Sequence, residues 1–365
     1  MKRIGIITWH FYNNYGSLLQ TYALQTYIES LGNNTIILNY RKFDCVLWKR
    51  IIKIILGKIE KYVPYSLSQR LGLSFWSFRN KFLKQSKILL NRRMLSKESQ
   101  KLDAVICGSD QIWAPSAYKP EYMLNFVSDD ILKISYAASI GLNDIPENLI
   151  SEYKHWISRL NYISVRELQG ADLLKRKCNI SAKVVLDPTF LLTADQWNKI
   201  VTEPTLDEKY IFCYFLNKNH NYEEKVFEIL ENFDLLNFKI IGISDNKSDS
   251  DWMHSQINSA SPEMFLGYIK NSYLILTDSF HGTAFSLIYN KNFYVFERFS
   301  SDDRMNQNSR IYSILSKLGL LDRIVSNSNN INGDLNIDYT SVNMKIMQER
   351  AASSYFLKKS LNELG

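Results

Sequence analysis

The chain has 365 residues, 45% hydrophobic and 22% charged, a balance that excludes a wholly disordered chain and a collagen-like fibre. Its four cysteines lie far apart without a CxxC pair and its five histidines show no metal-ligand spacing, so neither a disulfide framework nor a metal site is expected. The net charge is +7, but residues 41–101 contain 16 Lys and Arg against three acidic residues, which leaves −6 for the rest and indicates one basic segment that meets an anionic surface.

The first 40 residues predict a strand, a polar loop, a helix and a second strand. RIGIIT (3–8) is an apolar strand, LLQTYALQTYIESLG (18–32) is an amphipathic helix that ends at Gly32, and NTIILNY (34–40) is the next strand. This βαβ unit predicts a parallel sheet. The apolar run after Arg3 is too short for a signal peptide, and no run is long enough to span a membrane, so we expect a cytoplasmic protein.

The alternation of strands and helices continues along the chain and predicts an α/β fold with two doubly wound, Rossmann-like domains. A domain boundary is expected near residue 195. Residues 1–195 then form the N-terminal domain with a basic insert at 41–101, residues 196–340 form the C-terminal domain, and residues 341–365 form a terminal helix. The expected later strands are DAVICGSD, KISYAAS, YISVRE, KVVLD, KYIFCYFL, FKIIGIS, YLILTDS and NFYVFE, with helices near 147–160, 169–177, 222–232 and 262–271 and from Phe280 onward.

The basic insert contains a segment with two distinct faces. On a helical wheel of residues 45–63, one side carries Lys49, Arg50, Lys53, Glu60 and Lys61. Trp48, isoleucines and other apolar residues cover the opposite side. A basic face opposite an apolar face favours a helix that lies on an anionic membrane surface. The alternative is a surface helix whose apolar stripe faces the core of the protein.

The segment TDSFHGTAFSLIY (277–289) predicts a strand that ends in a capped helix. Asp278 or Ser279 can cap this helix, whose free N–H groups and positive end attract an anion such as phosphate or carboxylate. His281 falls in the first turn beside such an anion, and Gly282 permits close approach of a substrate or of backbone. The alternative is a capped helix start with a packed histidine.

Two further strands end in polar residues. ICGSDQIW (106–113) releases Ser109, Asp110 and Gln111, which face a cleft or form a tight capped turn. The strand ISV ends in Arg166, which can hold a carboxylate or phosphate in bidentate fashion or pair with Glu167. In the first loop, Gly16 offers backbone N–H groups, but neither GxGxxG nor GxxxxGK[ST] occurs, so a dinucleotide or P-loop fingerprint is absent.

Together, Thr8, NNYGSLLQTYAL, DAVICGSDQIW, ISYAASIG, ISVRE, VVLDPTFLL and LTDSFHGTAFSLIY resemble the polysaccharide pyruvyl transferase family in their order and over nearly the whole chain. The resemblance implies two domains similar to GT-B glycosyltransferases, with the site in the interdomain cleft and the terminal helix crossing back to the N-terminal domain. It implies phosphoenolpyruvate as donor and a cyclic pyruvate ketal on a sugar of an exopolysaccharide or capsule as product. The implied acceptor is a lipid-linked oligosaccharide at the inner face of the bacterial cytoplasmic membrane, which agrees with peripheral membrane binding through residues 45–63.

The resemblance also assigns residues to the donor. His281 is the expected general acid, because histidine holds a proton near neutral pH and an adjacent anion favours that proton. Arg166 matches the donor-binding arginine of the family. Some relatives carry a second arginine where this chain has Ser279, so Arg310 is the candidate for the second cation. Phe280 and Gly282 flank the histidine on the donor side.

The remaining expected site residues line the cleft from the acceptor side: Asn14, Gly16, Ser109, Asp110, Gln111 and Ser139. No metal and no cofactor are expected besides phosphoenolpyruvate as co-substrate, and nucleic acid is not an expected partner. One alternative function is a GT-B glycosyltransferase that uses a nucleotide sugar, because the same cleft would serve. Another is a non-catalytic, membrane-associated assembly protein that has kept the fold.

Overall fold

The structure is a computed structural model that describes residues 1–41, 67–206, 208–217, 222–244, 251–257, 259–299, 308–326 and 334–362. The amphipathic segment predicted at residues 45–63 lies outside these ranges, so its membrane contact stays a prediction. In the part of the chain that is described, no helix is both long and apolar enough to cross a membrane.

A four-stranded parallel sheet forms the centre of the first half. Its strands are β1 (Arg3–Ile7), β2 (Asn34–Ile37), β3 (Ala104–Cys107) and β4 (Leu132–Ser135), in the spatial order β2-β1-β3-β4. All residues of β3 are buried, as is typical of a parallel strand covered on both faces. Two short paired strands follow, β5 (Ser164–Val165) and β6 (Lys183–Val184).

A six-stranded parallel sheet forms the centre of the second half. Its spatial order is β12-β11-β10-β7-β8-β9. The strands are β7 (Tyr210–Phe215), β8 (Lys239–Ser244), β9 (Ser255–Gln256), β10 (Leu274–Thr277), β11 (Asn292–Phe296) and β12 (Ile324–Val325). The sequence-based assignment to an α/β fold with two Rossmann-like sheets is therefore confirmed, and the exact domain limits stay predictions.

Helices connect and cover the strands of both sheets. They are α1 (Tyr15–Ser30), α2 (Leu67–Phe82), α3 (Arg92–Ser99), α4 (Glu147–Ile157), α5 (Leu168–Leu173), α6 (Ala194–Asn198), α7 (Glu223–Asn232), α8 (Pro262–Asn271), α9 (Phe280–Ile288), α10 (Ser309–Leu318) and α11 (Tyr339–Asn362). Helix α1 begins three residues earlier than the sequence pattern indicated, because Asn14 caps it by accepting a hydrogen bond from Ser17 N. Gly16 therefore lies in the first helical turn and not in the preceding loop.

Each sheet has one point where the strand order reverses, and ligands of open α/β sheets bind at such points. In the first sheet β1 lies between β2 and β3, so the loops after β1 and β3 diverge. In the second sheet β7 lies between β8 and β10, so the loops after β7 and β10 diverge. Each of these four strands is followed by a segment that contains polar residues, at 8–14, 108–111, 216–217 and 278–281.

One apolar core runs through both halves. Buried residues of the first sheet, of α1, of the second sheet and of α11 belong to the same cluster. The ring of Tyr15 stacks on Phe265 of α8 at 4.4 Å, and its hydroxyl donates to the carbonyl of Ala260.

Helix α11 contacts the first half of the chain. Lys2 Nζ donates to the Leu361 carbonyl at 2.9 Å, and Leu186 N donates to Ser353 Oγ at 2.9 Å. The buried side chain of Leu357 belongs to the shared core. The end of the chain thus helps to hold the two sheets together.

Substituting Leu357 by alanine should lower the free energy of unfolding by about 2–5 kcal/mol, because it leaves a cavity in the shared core. The matched control is Met347→Ala on the exposed face of the same helix, which should change stability by less than about 0.5 kcal/mol. Urea unfolding followed by circular dichroism measures both. Equal stability of the two variants would contradict a structural role for α11.

Candidate active site

A cavity of about 290 Å³ lies at the carboxyl ends of the two sheets. Its wall combines the loops that follow β1, β3, β7, β10 and β11 with the first turns of α1, α9 and α10. The lining residues are Trp9, Tyr12, Asn14, Ser17, Asp110, Gln111, Ala117, Leu216, Ser279, Phe280, His281, Arg298 and Arg310. A second cavity of about 320 Å³ beside Tyr210 adjoins the amino-terminal end of β7, where open α/β sheets do not build their sites.

His281 lies in the first turn of α9, as the sequence indicated. Ser279 caps this helix, and its hydroxyl accepts a hydrogen bond from Gly282 N at 3.3 Å. The imidazole is buried, lines the cavity, and its Nε2 lies 3.7 Å from Asp187 Oδ2. Among the described residues this Nε2 has no hydrogen-bond partner. The histidine therefore lines the cavity with a carboxylate close to its buried Nε2.

The backbone of Gly16 passes directly against the other side of the His281 ring. A side-chain Cβ at Gly16 would overlap Nδ1 and its neighbouring ring atoms. Glycine is thus the residue type that lets the first turn of α1 approach His281 this closely. The amino-terminal ends of α1 and α9, which both carry partial positive charge, meet at the cavity through this contact.

Asp187, which follows β6, is the carboxylate nearest to His281. It is fully buried and accepts hydrogen bonds from Arg166 Nη1 at 2.9 Å, Ser109 Oγ at 3.0 Å and Thr189 N at 3.0 Å. Burial by itself raises the pKa of this carboxyl, but contact with His281 and the charge of Arg166 outweigh burial and hold the pKa well below its usual range. Asp187 is therefore ionised under all ordinary conditions.

Arg166 lies beneath the cavity and does not line it. Its guanidinium stacks on the Phe280 ring at 4.4 Å and is almost completely buried by Phe280 and Asp187. It borders only a small adjoining pocket of about 20 Å³, which also touches Arg310. Direct contact of Arg166 with a donor therefore stays a prediction, and in the structure Arg166 pairs with Asp187.

Two other arginines reach the cavity from the C-terminal half. Arg310, the second cation expected from the sequence, lines the cavity from the first turn of α10, and burial together with the charges of Arg166 and Arg298 lowers its pKa to about 9. Arg298 follows β11 and was missed by the sequence analysis. Its Nη2 donates to the carbonyl of Asp278 at 2.9 Å, and its Nε lies 3.4 Å from Asp278 Oδ2.

Asp278 is a supporting residue and not a helix cap. Its carboxylate accepts hydrogen bonds from Leu216 N at 2.8 Å, Asn217 N at 2.9 Å and Tyr222 OH at 3.1 Å. These donors hold the loop after β7 against the end of β10, and the same carboxylate fixes Arg298 at the cavity. The C-terminal half therefore presents Arg298 to the cavity, with its guanidinium held in place by Asp278.

The opposite wall carries an acid and two amides. Asp110 lines the cavity, and its carboxylate accepts from Gln111 N at 2.9 Å and from the hydroxyl of Ser17. Asn14 and Gln111 stand beside it. The cavity thus has a cationic side formed by the C-terminal half and an acidic side formed by the N-terminal half.

Two expected cleft residues do not reach the cavity. Ser109 is fully buried, and its hydroxyl lies within hydrogen-bonding distance of two acceptors, Asp187 Oδ2 and the carbonyl of Ala137. Ser139 is also fully buried and donates to Glu167 Oε1 at 3.1 Å. Both hydroxyls turn inward because buried carboxylates need hydrogen-bond donors, so they support the site from beneath.

His10, in the loop after β1, is excluded as a general acid. It is completely buried, and burial together with the charges of Arg41 and Arg79 lowers its pKa to about 4 despite a contact with the Thr8 carbonyl. It is therefore neutral at pH 7. Among the residues that the structure describes, no group of three or more His, Cys, Asp or Glu could hold a metal ion.

The family model for polysaccharide pyruvyl transferases matches residues 14–301, which is most of the chain. The chain belongs to the polysaccharide pyruvyl transferase family. The resemblance seen in the sequence motifs is thereby confirmed. No curated protein matches the sequence significantly.

Solved structures with the same overall architecture have very different sequences. The S. aureus MnaA–UDP co-structure is 15% identical with a TM-score of 0.50, covering 95% of this chain and 87% of that chain. A glycosyltransferase from Rickettsia africae is 10% identical with a TM-score of 0.50, covering 100% and 97%. These likenesses confirm the GT-B-like fold of this pyruvyl transferase family member.

Gly16→Ala should destabilise this family member by about 1–3 kcal/mol, because the added methyl group forces the His281 ring or the start of α1 to move. Gly72→Ala in α2 is the matched control, since the nearest atom to a Cβ there is 3.6 Å away. Alanine is the better helix former, so the control should gain up to about 1 kcal/mol. Thermal unfolding measures both, and a gain in stability with Gly16→Ala would contradict the close contact.

Asp187→Asn should destabilise the protein by about 3–5 kcal/mol, because it leaves the Arg166 guanidinium buried without its ionic partner. The double variant Arg166→Met, Asp187→Asn should recover much of this loss. Since the folded state depresses the pKa of Asp187, its contribution is complete above the unfolded-state pKa of about 3.9 and is lost as the pH falls below it. Urea unfolding between pH 7 and pH 3 should therefore show a weaker acid dependence in Asp187→Asn, and an unchanged pH profile would refute this.

Proposed function

We propose that this protein transfers the pyruvyl group of phosphoenolpyruvate to a sugar of a lipid-linked envelope polysaccharide precursor, forms a cyclic ketal and releases phosphate. The observation that carries the proposal is His281 in a cavity lined by two arginines from the C-terminal half and by Asp110 from the N-terminal half. Arg298, Arg310 and the amino-terminal end of α9 surround one side of a cavity of about 290 Å³. This volume is near the lower limit of about 300 Å³ for small-molecule sites, which suits a compact donor.

The cationic wall suits the two anionic groups of phosphoenolpyruvate. Arg298 and Arg310 can pair with the phosphate and the carboxylate, and free N–H groups at the start of α9 add hydrogen bonds. Arg298 thus supplies the second cation that Ser279 does not provide. Arg166 acts through Asp187, which it pairs with and which lies 3.7 Å from His281 Nε2.

His281 then acts as general acid in the first step. Protonated His281 gives its proton to the methylene carbon of phosphoenolpyruvate, which becomes a methyl group and leaves C2 electrophilic. A sugar hydroxyl forms a bond to C2, and its proton passes to Asp110, which also lines the cavity. The C2–O bond to phosphate breaks as a second hydroxyl closes the ketal. Of the two hydroxyl protons, one returns to His281 and the other ends on the released phosphate as hydrogen phosphate. The reaction therefore balances without an oxidant or a metal.

Thermal shift and phosphate release test this proposal. Phosphoenolpyruvate at about 100 times its Kd should stabilise the protein by about 2.7 kcal/mol. Arg298→Gln and Arg310→Gln should each weaken its binding by about 10- to 100-fold. Arg176→Gln should not, because this exposed arginine pairs with Asp172 and does not line the cavity. His281→Asn should leave donor binding within several-fold and abolish phosphate release in the presence of acceptor.

Two results would overturn the proposal. Stabilisation by UDP- or CMP-sugars and not by phosphoenolpyruvate would indicate a glycosyltransferase in the same fold. Near wild-type phosphate release by His281→Asn would remove the histidine from the role of acid.

A further inference from the structure

The outer face of helix α2 exposes two large apolar side chains. Trp76 is 58% exposed and Leu73 is 44% exposed, and residues three apart lie on the same face of a helix. Arg70 and Lys81 are also exposed and border this face on one side, next to Leu73. We call the face formed by Arg70, Leu73, Trp76 and Lys81 the outer face of α2.

The packing of α2 fixes this orientation. Phe75 and Phe78 on its inner side are completely buried, with Phe75 at 4.9 Å from the ring of Tyr15 and Phe78 at 6.0 Å from Tyr22. Because these rings occupy the space against α1, the helix cannot rotate to bury Trp76 without exposing them. The outer apolar residues are therefore held in solvent.

The stretch of sequence that contains this face is strongly basic. Residues 67–101 contain nine Lys and Arg and one acidic residue, Glu98, and helix α2 itself contains no acid. Tryptophan and leucine between cations match an anionic lipid surface, because the indole prefers the headgroup region and Lys or Arg attract anionic lipids.

The outer face lies close to the mouth of the cavity. Gly72, beside Leu73, packs near Asn13, whose amide is 3.6 Å from the position that a Gly72 side chain would occupy. The neighbours of Asn13 in the chain, Tyr12 and Asn14, both line the cavity. A partner surface that is bound to the outer face of α2 would therefore lie next to the acidic, N-terminal wall of the cavity.

We propose that the outer face of α2 docks on the surface of an anionic bilayer and presents the cavity to acceptors held there. The residues of this surface do not overlap with residues 45–63 in the sequence, and all of them are described residues. That the bound acceptor is lipid-linked rests on the proposed function, whereas the docking itself does not.

Vesicle flotation of the full chain tests the docking. Wild-type protein should float with vesicles of phosphatidylcholine that contain one third phosphatidylglycerol, should not float with phosphatidylcholine alone, and should lose binding at high salt. Two double variants should each reduce the bound fraction about five-fold or more. One combines Leu73→Ser with Trp76→Ser, and the other combines Arg70→Gln with Lys81→Gln. The matched control is Met347→Ser, Tyr355→Ser on α11, where the side chains are 63% and 67% exposed.

The outcomes separate docking from catalysis. Wild-type flotation by Leu73→Ser, Trp76→Ser, or absence of wild-type flotation with anionic vesicles, would overturn the docking proposal. The thermal shift with phosphoenolpyruvate should be the same in all these variants, which also shows that they fold. Flotation that depends on α2 in a protein without any response to phosphoenolpyruvate would support docking and contradict the proposed function.

Discussion

The buried carboxylate of Asp187 joins four separate segments of the chain. It accepts hydrogen bonds from Arg166 at the end of β5, from Ser109 at the end of β3 and from Thr189 in its own turn. It also lies 3.7 Å from His281 Nε2 at the start of α9. A charge buried this deeply is tolerated only when such partners surround it. The position of His281 relative to the first sheet therefore depends on this one carboxylate, and Gly16 completes the constraint from the other side of the ring.

The distribution of charge in the cavity follows from which sheet supplies each charged residue. The second sheet contributes Arg298 through the loop after β11, and α10, which follows it in the chain, contributes Arg310, whereas the first sheet contributes Asp110 through the loop after β3. An anion and a hydroxyl acceptor would accordingly be drawn to opposite sides. In the proposed reaction this separation places proton donation and proton acceptance on different halves of the chain.

Much of the fold could be predicted from the sequence, because parallel strands are buried on both faces and stand out as short apolar runs. Helices α8 and α9 begin where Pro262 and Phe280 indicated, and His281 lies where the strand–cap–helix pattern placed it. Side-chain direction was harder to predict. The end of a strand fixes the edge of the sheet at which a residue lies, but Ser109, Ser139 and Arg166 turn inward toward buried carboxylates.

The missed residues carried the same signal as the ones that were found. Asp187 follows KVVL, and Arg298 follows NFYVFE, so both are polar residues at strand ends like Asp110. Which strand ends converge depends on the order of strands in the sheet and on how the two sheets pack, and neither is visible in a single sequence. Long-range partners such as Asp278 with Arg298 became apparent only in three dimensions.

The shared core has a consequence for any dissection of this protein. Tyr15 stacks on Phe265, and Leu357 from the last helix belongs to the same apolar cluster as Ile4 of the first strand. A fragment that stopped near residue 195 would retain the apolar side of α1 and lose the residues that cover it. Such a fragment would expose a contiguous apolar surface, so we expect it to aggregate and not to fold as an independent domain.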